Sequence, residues 1–539
     1  MDLLFLHVPK FNNYYRPFNR FSFINLPPVG LLGLADFLRE NQYSTRVVHL
    51  GVEKYQYGEI NLDKIITEHQ PSFVGLGLHW HFQAFDVIET AQKIKQAHPE
   101  VAIVLGGFTA SAFAEEILRT FDCVDFVIRG DAEIPLRDLI AQYHSGGAYH
   151  HVPNLAFREG GTIRANPVSY VGDQKVLDKV CYTDFTLMKD YSTFVDSFSR
   201  YVHLNDISEG FQKLVIGQKK MYPVFLGRGC VYNCSFCGGS QMAQKSNNNR
   251  KGVYFRSVES VLKSMKDLQR FGFDSVGLAL DPPPVPVREN FYFAVFEGIK
   301  RENISLTVEV ERYHLPTREF IRRFRDLPSL DSWVTLSPGS HNEEIRRRNG
   351  LYRYSNAELE ECLGLMEEEG VNCLLCFSAG LPFEREDDLR EMGRYLRRMQ
   401  RKFKRVRCRT SMIEIEPGSP MSSNAQAYGV KPQRSTFMDY YRYHGRPGCS
   451  HFLEMGYDRA GCPSQPETKR LFCRNLCTRF NLRWAPPFAS RALCGTAGAM
   501  WKSGALGFLD KTVARVRSVS ALLTHHETKA GQINSRPES

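Results

Sequence analysis

The chain has 539 residues, enough for two or three domains with separate cores. A hydrophobic share of 42% and a charged share of 24% are those of a soluble globular protein, and the absence of a run of about 18 uncharged apolar residues argues against a membrane span. The net charge is +10, part of it in the run Arg401-Lys402-Phe403-Lys404-Arg405, which reads as a solvated helix end because no aromatic-interleaved basic motif accompanies it, so no nucleic-acid partner is expected.

The first eight residues are apolar but lack a basic start and a small-residue cleavage site, so no signal peptide is expected. Fourteen cysteines without a secretion signal predict reduced thiols and a cytoplasmic protein. Residues 1–145 alternate strands with amphipathic helices: strands over Leu3–His7, 46–50, 73–78, 101–105 and Phe126–Ile128, with a helix opened by Pro27-Pro28 and another over 82–98. Such repeated units predict a doubly wound, Rossmann-like open sheet with ligands at the carboxyl ends of its strands. At that edge strand four runs into Gly106-Gly107, where bare backbone lets a bulky ligand approach, and strand five runs into Gly130-Asp131-Ala132-Glu133. Strand three ends in Leu78-His79-Trp80-His81-Phe82; in an extended chain His79 and His81 point one way and Trp80 the other.

Residues 146–222 read as a connector, with a hairpin over 154–167 turning at Gly160-Gly161. A second domain, 223–420, opens with the strand Val224-Phe225-Leu226 and continues with strands over 275–280, 305–310, 333–336, Asn372–Ala379 and 409–415. Ser257 suits the N-cap of a helix carrying Val258, Val261, Leu262, Met265 and Leu268 on one face. Six strand–helix units predict a partial (β/α)6 barrel whose active site lies at the carboxyl ends of its strands. Directly after the first of these strands stands Gly227-Arg228-Gly229-Cys230-Val231-Tyr232-Asn233-Cys234-Ser235-Phe236-Cys237-Gly238-Gly239. Its C-x3-C-x2-C spacing brings Cys230, Cys234 and Cys237 within reach of one iron–sulfur cluster, and a triplet leaves one iron open where four cysteines would close it. A structural zinc site wants four ligands in paired spacings, and no C-x2-C partner lies nearby. Residues 421–523 form a C-terminal capping region in which Cys449, Cys462, Cys473, Cys477 and Cys494 match no auxiliary-cluster spacing; a lid helix is expected over 468–480 and disorder over 524–539.

The cysteine triplet, Phe236 before its last member and Gly238-Gly239 after it resemble the radical S-adenosylmethionine (SAM) superfamily. The proline-led helix and the glycines after strands four and five resemble the cobalamin-binding domain that precedes many radical SAM domains. The resemblance implies an α/β fold with an N-terminal cobalamin-binding domain followed by the barrel. It implies a [4Fe–4S] cluster on Cys230, Cys234 and Cys237 and SAM against Phe236, Gly238, Gly239, Asp281, Glu309, Ser337 and Gly380. It implies cobalamin against Leu78, His79, Gly106, Gly107, Gly130 and Glu133. Two departures stand out. The Gly-Gly-Glu that contacts the SAM amino group is replaced by Gly277-Leu278-Ala279-Leu280-Asp281, which makes Asp281 the substitute carboxylate. The Asp-x-His-x-x-Gly of mutases is missing after strand one, where the chain reads Leu6-His7-Val8-Pro9-Lys10-Phe11, so the lower face of cobalt is expected to be covered by residues 78–82 without a protein nitrogen on the metal.

By this resemblance the protein is a cobalamin-dependent radical SAM enzyme that methylates an unreactive carbon. A 5′-deoxyadenosyl radical opens a C–H bond and methylcobalamin supplies the methyl group, with electrons from a donor such as flavodoxin or ferredoxin. The same two domains serve relatives that cyclise, oxidise or rearrange, whereas a corrinoid carrier would need neither the triplet nor the barrel. Methylthiotransferases that act on tRNA carry further N-terminal cysteines, and residues 1–122 contain none. A small molecule, a lipid or a peptide all remain compatible as substrate.

Overall fold

The computed structural model describes residues 1–11, 27–146, 149–198, 221–281, 286–329, 331–446, 455–462 and 468. The N-terminal sheet comprises β1 (Leu3–His7), β2 (Thr45–His49), β3 (Phe73–Gly77), β4 (Ala102–Gly106), β5 (Phe126–Ile128), β6 (Leu155–Glu159) and β7 (Thr162–Ala165). Its order is β2-β1-β3-β4-β5-β6-β7; the first five strands are parallel, with Leu6 opposite Leu76 and Leu76 opposite Leu105. This is the doubly wound arrangement expected, and its order reverses between β1 and β3, where such sheets open a ligand crevice. Strands β1, β3 and β4 are apolar on both faces because helices cover both sides.

The predicted hairpin forms, with Gly160 at φ +54° and Gly161 at φ +78° between β6 and β7. It is not part of a free connector, however: β6 pairs antiparallel to β5 and extends the first sheet. The described part of the connector after the hairpin packs against both domains. Phe185 lies edge-on to Tyr222, ring centroids 5.3 Å apart, and to Phe271 at 5.1 Å. One continuous apolar core thus runs from Leu3 and Phe5 of the first sheet through Phe185, Met188 and Phe194 into the barrel at Tyr222, Val224 and Phe273. Sequence periodicity cannot show this, since these aromatics face two domains at once.

The second sheet is built from β8 (Met221–Phe225), β11 (Ser275–Ala279), β12 (Thr307–Arg312), β13 (Trp333–Gly339), β14 (Asn372–Ala379) and β15 (Val406–Met412), all parallel, in the order β15-β14-β13-β12-β11-β8. Between β8 and β11 a short ribbon of β9 (Gly227–Arg228) and β10 (Tyr254–Phe255) leads into and closes the cysteine segment. The expected six-stranded open barrel is present. Strand β15 begins three residues before its expected start at Arg409, because Val406 and Cys408 are core positions that alternate with exposed Arg407. Helix Val258–Arg270 starts where serine predicts, the Ser257 side chain accepting from Ser260 N–H. A last small ribbon, β16 (Val430–Pro432) with β17 (Tyr457–Arg459), packs over the barrel. The expected lid helix over 468–480, the tail over 524–539, and Cys449, Cys473, Cys477 and Cys494 lie outside the described residues. Among the described residues no helix is long and apolar enough to cross a membrane.

Candidate active site

The cysteine loop leaves the barrel at the carboxyl end of β8 and is held from three sides. Gly229 has φ +105°, and a Cβ there would stand 2.4 Å from the Gly252 carbonyl, so only glycine lets the loop turn so close to its neighbour. Below, Ser235 donates its N–H to the Asn349 carbonyl at 2.9 Å and its hydroxyl to Asn349 Oδ1 at 2.6 Å. From the turn after β15, Met421 N–H reaches the Ser235 carbonyl at 2.8 Å, and Glu416 accepts the Gly238 N–H at 2.6 Å. Cys230, Cys234 and Cys237 are all partly buried, free thiols. Burial pushes the Cys234 thiol up to about 12, with the neighbouring Cys230 adding to it. Three thiols on one loop, Cys230 and Cys234 both acting on Cys237, fit a shared metal centre, where ligation would exchange their protons for iron. Each carries a backbone or loop contact that fixes its direction, as Gly239 N–H does for Cys237 Sγ at 3.3 Å.

The barrel interior facing this loop is polar. Along β12 the half-exposed residues are Glu309 and Glu311, while Val308, Val310 and Arg312 turn outward to the helices. Thr335 of β13 donates to Glu309 Oε1 at 2.6 Å. Burial, then the Glu309 and Asp281 charges, raise Glu311 to about 7, against the pull of Arg409 on β15. Ser337 is half-exposed on the same interior face of β13. Phe236 packs partly buried with Cys234 against a small cluster of Ile345, Leu351, Leu381 and Met421. These residues, with Gly239, are the part of the expected SAM surface that remains open.

Three expected SAM contacts are committed elsewhere. Asp281 is buried: its Oδ2 accepts from Tyr313 N–H at 2.8 Å and His314 Nδ1 at 3.1 Å, its Oδ1 from the Tyr292 hydroxyl at 3.3 Å, and Arg312 lies 3.5 Å away. A carboxylate whose lone pairs are filled this way is a brace for the β12 rim rather than a ligand for an amino group. Gly380 is buried too, its N–H held by Glu384 at 2.7 Å and its carbonyl by the Tyr457 hydroxyl at 2.6 Å. Gly238 faces Glu416 and the Pro417 carbonyl, which a Cβ would approach to 2.8 Å. Glu416 stands directly after the sixth strand expected over 409–415, where the sequence alone marks no role for it. Its carboxylate on the cysteine turn is raised by burial to about 7, and its charge adds to burial in raising the Cys237 thiol.

At the edge of the first sheet the expected residues also divide. The turns after β3 and β4 interlock: Leu78 N–H bonds the Gly106 carbonyl at 2.7 Å, and Gly107, at φ +110°, would bring a Cβ within 2.7 Å of the Leu78 carbonyl. Leu78 is fully buried, so only its backbone reaches the edge. Gly106 has open space, with nothing nearer its Cβ position than the Ile128 carbonyl at 3.8 Å. His79 is exposed, flanked edge-on by the Trp80 and Phe108 rings at 4.7 Å and 4.9 Å, and desolvation lowers it to about 4.

His81 does not share this direction. Residues His81–Gln83 wind into a 3₁₀ turn, pinned by Gln83 to the Trp80 N–H at 3.2 Å and to the Val8 carbonyl at 2.7 Å, and so break the extended alternation. His81 is buried with its Nδ1 3.2 Å from His444 Nε2 and its Nε2 3.7 Å from Glu414. These three residues come from the first sheet, the barrel and the C-terminal helix, and their ligand atoms lie within 4.8 Å of one another. Burial, then Arg434 and Lys10, lower His81 to about 3, and Arg434 already pairs with Glu414 at 2.9 Å. Two buried cations beside the group disfavour a divalent ion there, so the trio is a hydrogen-bonded clasp between domains.

Gly130 and Glu133 form the seam of the two domains. A Cβ on Gly130 would stand 3.2 Å from Asn248 Cα, on the helix that follows the cysteine loop. Glu133 is buried and pairs with Arg228 at 2.6 Å; Asp131 pairs with Arg228 at 3.2 Å and with buried Arg250. Burial alone would raise Glu133, but the Arg228 guanidinium holds it below the usual carboxylate range. The Glu133 carboxylate is thus engaged by Arg228, while the half-exposed backbone of Gly130 lies against the helix after the cysteine loop. The signal that could have found this pairing is a lone arginine between the glycines of the cysteine loop, opposite Asp131 and Glu133 in a turn that ends at the same rim.

A doubly wound sheet with an open crevice, joined to a six-stranded parallel barrel with a cysteine triplet at its mouth, defines an α/β protein built for two large cofactors. The radical SAM superfamily model matches residues 224–396 and the B12 binding domain model matches residues 24–140. The chain thus carries a radical SAM domain with a B12-binding domain ahead of it, and these two domains imply a [4Fe–4S] cluster, SAM and cobalamin. It is 24% identical to hopanoid C-3 methylase of Methylococcus capsulatus over 298 residues, covering 55% of this chain and 49% of the relative. It is 22% identical to the anaerobic magnesium-protoporphyrin IX monomethyl ester cyclase of Synechocystis over 315 residues, 56% of each. The chain thus spans about half the length of these curated relatives. The radical SAM methyltransferase TsrM from Kitasatospora setae, solved with tryptophan and a SAM analogue, superposes with a TM-score of 0.57 at 15% identity, over 87% of this chain and 83% of that one, a likeness of fold.

Proposed function

We propose that this protein is a cobalamin-dependent radical SAM methyltransferase acting on an unreactive carbon. The observation that carries the reading is the seam itself. Gly130 to Glu133, at the ligand edge of the first sheet, is bonded through Arg228 to the strand that opens the cysteine loop. A corrinoid over Gly106 and His79 and a cluster on Cys230, Cys234 and Cys237 would then face one enclosed space, as transfer between them requires. When bound, the cofactors supply the radical that opens a C–H bond and the methyl group that replaces the hydrogen. The chain's own residues bind and orient. Glu309, Glu311 and Ser337 offer acceptors on the barrel wall, Thr335 fixes Glu309, and Phe236 gives an apolar surface beside the thiols. The aromatic helix Phe437–Gly445 packs on the core of the first sheet and reaches the end of the barrel, Tyr440 donating to the Ile415 carbonyl at 3.0 Å.

The likeness to a cyclase supports a second reading, in which the same radical chemistry ends without methyl transfer. Product counting in anaerobic turnover separates them. Equal S-adenosylhomocysteine and 5′-deoxyadenosine is the result expected; 5′-deoxyadenosine alone, with cobalamin bound, would overturn the methyltransferase reading.

A further inference from the structure

The helix Gln241–Asn248 begins just after the cysteine loop and runs into Asn247-Asn248-Asn249. Asparagine is a weak helix former, so a run of three at a helix end needs a reason for each member. Asn249 has an evident one: it ends the helix in the left-handed region at φ +51° and donates to the Val168 carbonyl at 2.9 Å. Asn248 is different. It is buried, 5% exposed, and its Nδ2 donates to Gln244 Oε1 at 3.0 Å, which turns its Oδ1 the other way. That oxygen finds no hydrogen-bond partner among the described residues. A buried acceptor left unmet is costly, so native proteins keep few of them.

The oxygen stands at the ligand edge of the first sheet. A Cβ on Gly130, at φ +72°, would lie 3.2 Å from Asn248 Cα and 3.6 Å from its Oδ1. The same helix packs against helix Phe108–Ala112, whose Ser111 hydroxyl accepts the Gly130 N–H at 2.9 Å. Gly106 ends β4 and Gly130 follows β5, and these are paired strands, which run about 4.8 Å apart. A macrocycle resting on the bare Gly106 turn is wider than that spacing and extends over the end of β5. On the other side of the helix, Asn247 Nδ2 lies 2.6 Å from the Cβ position of Gly418, in the turn whose Glu416 holds the Gly238 N–H. The last turn of this helix thus belongs to the barrel yet lies between the corrinoid edge and the cysteine loop.

We propose that Asn248 is a corrinoid-positioning residue supplied by the barrel, its Oδ1 accepting a hydrogen bond from a primary amide on the corrin rim. The proposal rests on the reading that the first domain holds cobalamin at Gly106. A corrin rim carries several such amides, each offering two N–H donors, and an acceptor oxygen is their complement. Gln244 fixes the plane of the Asn248 amide, and the absence of a side chain at Gly130 leaves the oxygen uncovered from the side of the sheet. One short helix joins Asn248 to the cysteine loop, so the contact would set the register of the corrin against the three thiols, which the first domain cannot do alone.

The test uses the full-length protein and hydroxocobalamin, titrated by absorbance into wild type, N248L and N249A. N248L keeps the size of the side chain and removes the acceptor, which should weaken binding about tenfold by leaving a corrin amide unmet. N249A changes the exposed neighbour and should stay within about twofold. Diaquocobinamide, which keeps the rim amides and lacks the nucleotide tail, should show the same loss in N248L. The melting temperature of the cobalamin-free N248L protein should stay within about two degrees of wild type, because the oxygen removed has no partner there; a residue that merely braced the seam would lower it. Unchanged hydroxocobalamin affinity in N248L would overturn the proposal and leave the oxygen to a buried water. So would equal weakening in N249A, or a cobalamin-free N248L protein that melts several degrees lower. A loss seen with hydroxocobalamin but not with diaquocobinamide would move the contact to the nucleotide tail and overturn the rim assignment. Wild-type protein that never binds hydroxocobalamin would instead break the reading of the first domain.

Discussion

Gly106 and Gly107 are neighbours with different physical duties. Gly107 sits at φ +110° with the Leu78 carbonyl in its Cβ position, so its lack of a side chain serves the protein's own packing. Gly106 has nothing but the Ile128 carbonyl at 3.8 Å, so its bareness serves whatever fills the crevice. Gly107→Ala is expected to cost about 2 kcal/mol or more through backbone strain and the clash, lowering the melting temperature of the cobalamin-free protein. Gly106→Leu should leave that temperature within a degree or two yet abolish cobalamin retention on gel filtration. A Gly106→Leu variant that keeps its cobalamin would remove this turn from the crevice. The pair also shows why a bulky residue at 107 is a poor probe of binding, since it unsettles the turn before any ligand arrives.

At the scale of elements, helix Phe437–Gly445 is what a single sequence conceals best. Its aromatic residues stand together in the sequence, but nothing there marks the clamp they form on the first sheet. Glu116, from helix Ala114–Thr120, accepts the Phe437 and Met438 N–H groups at 2.9 Å and 3.0 Å, and Tyr441 donates to Glu89 at 2.7 Å. An N-terminal cap of this kind is worth about 1 kcal/mol, so Glu116→Ala should speed amide exchange over 437–445 several-fold and leave β13 and β14 unchanged. Equal protection in both proteins would show that aromatic packing alone holds the clamp. Elements with a period of their own were read to within a few residues: the parallel strands, the Ser257 cap, the glycine hairpin. What escaped was decided by partners far along the chain. His81 turned away because Gln83 reaches Val8, and Asp281 withdrew because Tyr313 and His314 of the next rim supply its donors. Alternation predicts which side of an extended strand a residue takes; it is silent once the chain leaves the strand.

For the whole molecule, the seam of Asp131 and Glu133 with Arg228 and Arg250 ties the two cofactor domains at their working edges. Glu133 is held below its usual range in the folded protein, so its contribution is fully present above an unfolded value of about 4.3 and is lost only as pH falls through its lower folded value. The domains should therefore stay joined through mild acid and separate below about pH 4, seen as a rise in the radius of gyration. Glu133→Gln leaves Arg228 with Asp131 as its remaining carboxylate; with that arginine side chain 28% exposed, a cost of about 2 kcal/mol is expected, with part of the acid sensitivity removed. Separation near pH 6 would point to a histidine contact instead.

The three thiols at the barrel mouth carry the central claim, that they hold one cluster with an iron left open to SAM. The measurement is electron paramagnetic resonance of the anaerobically reconstituted, reduced protein, with and without SAM, beside Cys230→Ala/Cys234→Ala/Cys237→Ala. The account predicts about four irons per wild-type chain, as for one cubane, a reduced-cluster signal that changes shape when SAM is added, and no signal in the triple variant. A triple variant that retains about four irons and a SAM-sensitive signal would contradict it and move the cluster to cysteines elsewhere in the chain.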